Sequence, residues 1–225
     1  APELEDEVAL ANIALDLLGQ ARLLLARAGR VDGKGHDEDF YAFFRGDTEF
    51  RNVRLAEVPN GDFAFSMARL LVFTTWRLAL LRRLTRSRDP VLAAIAAKGV
   101  KEVAYHRDYA ARWVVRLGDG TALSHRRMRD GMQAVWPLVE ELFTPHGIER
   151  GLAATGVAAD PAQSRADFDA VIVTVLGAAA LETPDEAAVA GVSGKAGRDG
   201  VHTETFGFLL AELQSVARAH PEAGW

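Results

Sequence analysis

The sequence predicts an all-α protein, and two observations support this prediction. Apolar residues recur at alternating spacings of three and four over long stretches, which is the period of a helix with one buried face. Proline, glycine and acidic residues fall where such stretches begin and end, as helix termini require. Long helices joined by short turns favour a helical bundle.

The first helix is predicted from Leu4 to Gly29, following Pro2 and beginning among acidic residues that suit a helix N-terminus. It carries two apolar stripes, one formed by Leu4, Val8, Ala11, Leu15 and Leu18 and the other by Leu10, Ala14, Leu17, Ala21 and Leu24. We therefore expect this helix to be packed on two sides.

Turn and capping residues place the remaining helices. They are predicted over residues 37–45, 48–57, 62–88, 91–117, 121–143, 161–181 and 201–219. Asp62, Asp89 and Thr121 are the expected N-caps, because their side-chain oxygens can accept hydrogen bonds from the first free amides. Pro137 should kink the helix that contains it, since proline lacks the amide hydrogen.

The segment 171–175 is β-branched and would suit a buried strand as well as a helix. We predict a helix, because no second strand is present to pair with it. Residues 182–200 are rich in glycine, alanine and small polar side chains and are expected to form a loop.

Composition narrows the classes of function. A chain of 225 residues with 49% apolar residues is large enough for one helical domain over 1–225. The 31 acidic and 26 basic residues leave a net charge of -5 without a basic stripe, so nucleic acid is not an expected partner. Cysteine is absent, which excludes disulfides and thiolate metal sites and favours the cytoplasm. We expect neither a membrane span nor a signal peptide.

Helical bundles often carry di-iron centres built from Glu-x-x-His motifs, in which the carboxylate and the imidazole share one helix face. The histidines are His36, His106, His125, His146, His202 and His220. None has a glutamate three positions before it, and only His202 has an acidic residue there, Asp199. We therefore predict no metal or other cofactor and no catalytic residue in this chain.

Polar residues on the first helix define a candidate pocket. Asn12, Asp16 and Gln20 follow one another at intervals of four, which suits either a pocket wall or a solvated stripe. His106 lies on an apolar helix face, where a lone histidine is more often a hydrogen-bonded core or pocket residue than a metal ligand.

The glycine-rich segment 194–200 contains Lys195 and Arg198 and leads through His202 into the last helix. Backbone amides at a helix start can hold a phosphate together with cations. The three side chains are therefore candidate contacts to a phosphate or to an acidic partner surface. The alternative is a connecting loop without ligand contacts.

Seven sequence strings resemble the C subunits of bacterial phenylacetyl-CoA epoxidase, the ring 1,2-monooxygenase of phenylacetate catabolism. They are residues 1–5 (APELE), 11–22 (ANIALDLLGQAR), 59–64 (PNGDFA), 87–90 (SRDP), 101–106 (KEVAYH), 116–121 (RLGDGT) and 202–204 (HTE). Family members usually begin with further residues before the position of Ala1.

The resemblance implies a ferritin-like fold and a structural role beside a related A subunit, which carries the di-iron centre and epoxidises the substrate. Other subunits of the complex are implied as partners too, and the phosphate contact named above would be to CoA. The Glu-x-x-His positions of the A subunits correspond here to Leu17 with Gln20 and to Val103 with His106.

The sequence is compatible with two other functions. One is a self-sufficient di-iron oxygenase, which would need metal ligands beyond those found. The other is a binding protein with a degenerate ferritin-like pocket that keeps Asp16, Gln20 and His106. A structural subunit should in addition expose an apolar helix face that a monomer does not need.

Overall fold

A computed structural model describes residues 1–223 of the chain. Over this range the protein contains eight α-helices and no β-strand, and one isolated antiparallel bridge joins Val192 to Lys195. The helices are α1 (Leu4–Asp32), α2 (Phe63–Leu84), α3 (Pro90–Gly118), α4 (Ala122–Val135), α5 (Val139–Phe143), α6 (Gly147–Ala154), α7 (Arg165–Ala178) and α8 (Glu204–Ala219). The predicted all-α class is confirmed.

The three predicted N-caps form as expected. Asp62 accepts a hydrogen bond from the Phe65 amide at 2.9 Å, and Asp89 accepts from the amide of Val91 at 2.9 Å. The Thr121 hydroxyl accepts from the Ser124 amide at 3.2 Å. Each cap satisfies an amide that has no partner within its own helix.

Pro137 interrupts its helix as predicted. A 3₁₀ turn over Trp136–Leu138 separates α4 from α5, because the proline cannot donate to the preceding turn. The β-branched residues 171–175 lie within α7, so the choice of helix over strand is confirmed.

Of the two short helical segments predicted after the first helix, one is confirmed and one is wrong. Residues 38–44 are helical, with a π-helical turn over Phe40–Phe44, and Asp37 caps them by accepting a hydrogen bond from the Phe40 amide at 2.9 Å. The segment 48–57 contains only short 3₁₀ turns, Asp47–Glu49 and Arg54–Ala56, and Asp47 accepts from the Thr48 amide at 2.7 Å.

Helix α6 was not predicted. It begins at Gly147 and is capped by His146, whose Nδ1 accepts from the Ile148 amide at 3.2 Å. Glu149 accepts in return from the His146 amide at 2.9 Å, which completes a capping box with an unusual cap residue.

The chain divides into two compact units. The first comprises residues 1–16 and 60–189, and the second comprises 17–59 together with the chain from 190 onwards. In the first unit α2 packs against α3, α4 and α7, and its core includes Leu78, Leu81 and Val103. The prediction of a single domain over 1–225 stays a prediction, and its last two residues lie outside the described range.

The second unit is organised around α8 and the irregular segment before α2. The Gln214 amide nitrogen donates to the backbone oxygens of Ala42 at 3.3 Å and Arg45 at 3.1 Å. The Arg218 guanidinium donates to the oxygens of Phe43 at 3.0 Å and Arg45 at 2.8 Å. These long-range bonds hold α8 on the π-helical turn.

Helix α1 is exposed on the face where the sequence predicted packing. Leu4 is 72% exposed and Leu15 is 64% exposed, and Val8 and Ala11 between them are exposed as well. The buried positions are instead Asp6, Ile13, Gln20 and Gly29. The expectation that both apolar stripes are packed is therefore wrong for this chain by itself. The side of α1 that the chain buries is a different one, and it includes polar side chains.

Two helices in the described range, α1 and α2, are long and apolar enough to cross a membrane by length and composition alone. In α2 the apolar window is 67% buried within the protein, as in the core helix of a globular fold. One or two such helices are weak evidence for a membrane span.

Candidate functional site

The centre of the candidate site is a pair formed by His106 on α3 and Asp16 on α1. His106 is fully buried, and its Nε2 lies 2.9 Å from Oδ2 of Asp16, which is partly exposed. Because a carboxylate only accepts hydrogen bonds, His106 donates through Nε2. The predicted pocket residues Asp16 and His106 are thus in contact, although 90 positions separate them in the sequence.

The second ring nitrogen of His106 has no partner. Nδ1 is buried and makes no hydrogen bond with any described residue. In a neutral imidazole this nitrogen carries a lone pair, so the ring presents an unused acceptor to the protein interior.

The residues around His106 do not fit a di-iron centre. Val103, one turn earlier on α3, is fully buried among Leu78, Leu81 and Ala96 and offers no lone pair. Within residues 1–223 no three side chains of His, Cys, Asp or Glu are grouped so that they could hold a metal ion.

The other predicted site residues are not among the hydrogen-bond partners of His106 described above. Asn12 is exposed on α1 in the first unit. Gln20 is buried and Leu17 is half-buried, and both belong to the second unit. The assignment of these residues to a pocket or a degenerate metal site stays a prediction.

A second polar cluster in the first unit was not predicted. Asp6 is buried, and one of its carboxylate oxygens accepts from the Tyr109 hydroxyl at 2.8 Å and from Nε1 of Trp113 at 3.0 Å. Burial, followed by the hydrogen bond to Asp6, raises the pKa of Tyr109. The Arg116 guanidinium lies 4.8 Å from the centre of the Trp113 ring.

This cluster lies beside a cleft of about 540 Å³ that includes Phe63 and Leu123. The sequence signal was the spacing of four between Tyr109 and Trp113, which places both donors on one side of α3. Asp6 gave no signal of its own, because it stands in a run of acidic residues that suits any helix N-terminus.

The glycine-rich segment presents only part of its predicted contact set. Lys195 is exposed, and its backbone is held by Val192, with N to O distances of 2.9 and 3.0 Å. Arg198 is buried in a 3₁₀ turn. His202 is bonded to Glu57 and to the backbone oxygen of Phe50. Contact of these side chains with CoA or a partner stays a prediction.

Fold and site together define a class. A bundle of long helices, with a buried histidine on one of them and no β-strand in residues 1–223, matches the class of ferritin-like helical proteins.

Comparison with known proteins then assigns the family. The chain matches the family described as phenylacetic acid catabolic protein over residues 1–225. It is 43% identical to the C subunit of the 1,2-phenylacetyl-CoA epoxidase of Escherichia coli (strain K12) over 225 residues, covering 100% of this chain and 89% of that protein. The chain therefore belongs to the phenylacetic acid catabolic protein family, and the resemblance found in the sequence is confirmed.

Proposed function

We propose that this chain is a non-catalytic structural subunit of a phenylacetyl-CoA epoxidase. In this role it acts in the cytoplasm, contributes no cofactor, and stabilises the A subunit in which the di-iron chemistry takes place. The family and the 43% identity to an epoxidase C subunit support its assignment to phenylacetate catabolism.

The observation that carries the structural role is the exposed apolar face of α1. We define the α1 stripe as Leu4, Val8, Ala11 and Leu15, whose alternating spacings of four and three align them along one side of the helix. Leu18 continues the spacing and is also exposed. Monomeric proteins rarely expose a contiguous apolar row of this kind, whereas subunit interfaces commonly do.

The residues at the candidate site support the non-catalytic part of the proposal. A di-iron centre needs several carboxylates and two imidazoles that converge from different helices. Val103 cannot act as a ligand, and the Nε2 atom of His106 is already bonded to Asp16. What this pair can do is fix α1 and α3 in position, because each partner satisfies a polar group of the other.

A co-purification experiment tests the proposal. Tagged wild-type protein should co-elute with the A subunit in size-exclusion chromatography. Replacing two members of the α1 stripe, as Val8→Asp with Leu15→Asp, should abolish co-elution while leaving the helical circular dichroism unchanged, since both side chains are exposed. Ile148→Asp is the matched control, because Ile148 is 61% exposed but lies on α6.

The outcomes separate the parts of the proposal. Failure of the wild-type chain to associate with the A subunit would refute its role as a structural subunit. Retained association of the double variant would assign the contact to another face. Epoxidation by this chain and a reductase, without the A subunit, would overturn the non-catalytic role.

A further inference from the structure

The second unit contains a buried carboxylate that is fully bonded to donors. Glu57 is 1% exposed. Its Oε1 lies 2.7 Å from Nδ2 of Asn52 and 2.6 Å from Nδ1 of His202. Its Oε2 accepts from the backbone amide of Thr203 at 2.7 Å.

The histidine of this cluster faces an acceptor on each side. The His202 side chain is 7% exposed. Its Nδ1 points to Glu57, and its Nε2 lies 3.2 Å from the backbone oxygen of Phe50. A neutral imidazole has only one N–H, so a second proton is needed between the ring and the carboxylate.

The hydrogen bonds around Glu57 favour placing this second proton on His202 rather than on the carboxylate. Asn52 and Thr203 both donate to the carboxylate, which favours its ionised form. The positive end of the α8 dipole acts in the same direction, because Glu57 accepts from the N-cap residue of that helix. The His202 ring stacks on Phe206, with 4.1 Å between the ring centres.

Glu57 supplies the acceptor that a glutamate at the third helical position supplies in a capping box, because it binds the amide of the N-cap residue of α8. Thr203 occupies the N-cap position, but its side chain makes no capping hydrogen bond, and its hydroxyl oxygen is buried without a partner. A carboxylate 146 positions earlier binds its amide instead. The start of α8 is therefore held by tertiary contacts, and these depend on the charge of the Glu57 and His202 pair.

Charged groups on the surrounding elements complete the electrostatic setting. Arg51 lies against Gly200, and Arg54 is buried in the 3₁₀ turn next to Glu57. Arg198 is buried in the turn that precedes α8, which also contains Asp199. Glu204 is exposed in the first turn of α8. The elements around the His202 and Glu57 pair therefore contain both basic and acidic side chains.

We infer that Glu57 and His202 form a proton-dependent clamp that fastens the N-terminus of α8 to residues 50–57. With the second proton present, both ring nitrogens donate. Without it, one nitrogen lone pair faces an acceptor in a buried site, an arrangement that is costly. Loss of the proton frees the first turns of α8, whose outer face carries the exposed side chains of Phe208 and Leu209.

Nuclear magnetic resonance of the full chain tests the protonation state directly. With ¹⁵N-labelled histidine at neutral pH, both ring nitrogens of His202 should carry protons that exchange slowly with water. His36 is the internal comparison, because its Nδ1 lies 2.7 Å from Asp32 while its side chain is 28% exposed. A single protonated ring nitrogen on His202 at neutral pH would overturn the inference.

Hydrogen exchange tests the clamp itself. In wild-type protein, the exchange of residues 203–208 is corrected for the intrinsic rate and compared with that of α2. It should accelerate by at least about tenfold as the pH rises from about 6 to about 9. His202→Gln should show the fast rate throughout this range, and His36→Gln should behave as wild type. Protection that does not depend on pH in the wild type, or equal protection in His202→Gln, would refute the clamp. If His202→Gln does not fold, the wild-type pH series decides alone.

Discussion

Replacing Asp6 by alanine should destabilise the first unit more than any change at the neighbouring acidic residues. Asp6 is buried and accepts from Tyr109 at 2.8 Å and from Trp113 at 3.0 Å. Truncation leaves both donors without an acceptor, and each unsatisfied buried group costs roughly 1–3 kcal/mol. Because Tyr109 and Trp113 are both partly exposed, water can satisfy part of their hydrogen bonding and offset part of this cost. We therefore expect the free energy of unfolding to fall by about 2–4 kcal/mol.

Urea unfolding followed by circular dichroism measures this loss. Asp6→Asn keeps an oxygen acceptor and should lose only about 1 kcal/mol, whereas Glu5→Ala and Glu7→Ala, at exposed neighbours, should stay within about 0.5 kcal/mol of wild type. The m-value must stay constant for the midpoints to be compared. An Asp6→Ala midpoint equal to that of Glu5→Ala would show that the Asp6 hydrogen bonds contribute nothing to stability.

The same cluster predicts a dependence on alkaline pH. The pKa of Tyr109 is raised by burial and by its bond to Asp6. The folded state therefore favours the neutral phenol. Its contribution to stability is complete below the unfolded pKa of about 10 and falls as the pH rises above that value. Tyr109→Phe should remove this alkaline loss, and an unchanged alkaline profile in that variant would contradict the assignment.

Three further predictions concern metal, the basic segment and acid stability. Protein purified from iron-supplemented cells should contain no stoichiometric iron by elemental analysis, and about two irons per chain would overturn the proposed role. Lys195→Ala should weaken complex formation more at low salt than at high salt, while Arg198→Ala should lower the thermal midpoint because Arg198 is buried. If Lys195→Ala binds as tightly as wild type at low salt, the segment 194–200 is a connecting loop without a role in binding. The hydrogen bond from Tyr41, followed by the bond from the Lys34 amide, lowers the pKa of Asp32 to about 2. The stabilising effect of the ionised Asp32 should therefore persist into acid solution and disappear as the pH falls from about 4 to about 2. An acid unfolding profile identical in Asp32→Asn would contradict this.

Local interactions explain the part of the fold that could be predicted. Asp62, Asp89 and Thr121 each bond an amide within three residues, so a cap and its helix are visible together in a short stretch of sequence. The break at Pro137 follows from the chemistry of one residue. Helix α6 escaped prediction because histidine is an unusual cap, although the matching Glu149 stands at the expected spacing.

The candidate site was predictable only as a set of residue types. The lack of Glu-x-x-His motifs is a property of the sequence, and it shows that His106 lacks the glutamate three positions earlier that a di-iron motif requires. That Asp16 supplies the carboxylate from α1 depends on how the helices pack. The same holds for Glu57 and His202, which are 145 positions apart in the chain.

The exposure of α1 shows most clearly what tertiary structure decides. Periodicity in the sequence determined that Leu4, Val8 and Leu15 share one side of a helix, because the helical repeat alone sets their angular positions. It did not determine what covers that side. The packing of the chain buries Asp6 and Ile13 instead and leaves the apolar side exposed. Burial depends on which surface of the helix another element reaches. The spacing of residues cannot show this, because an apolar stripe that contacts a partner protein has the same spacing as one that packs in the chain's own core.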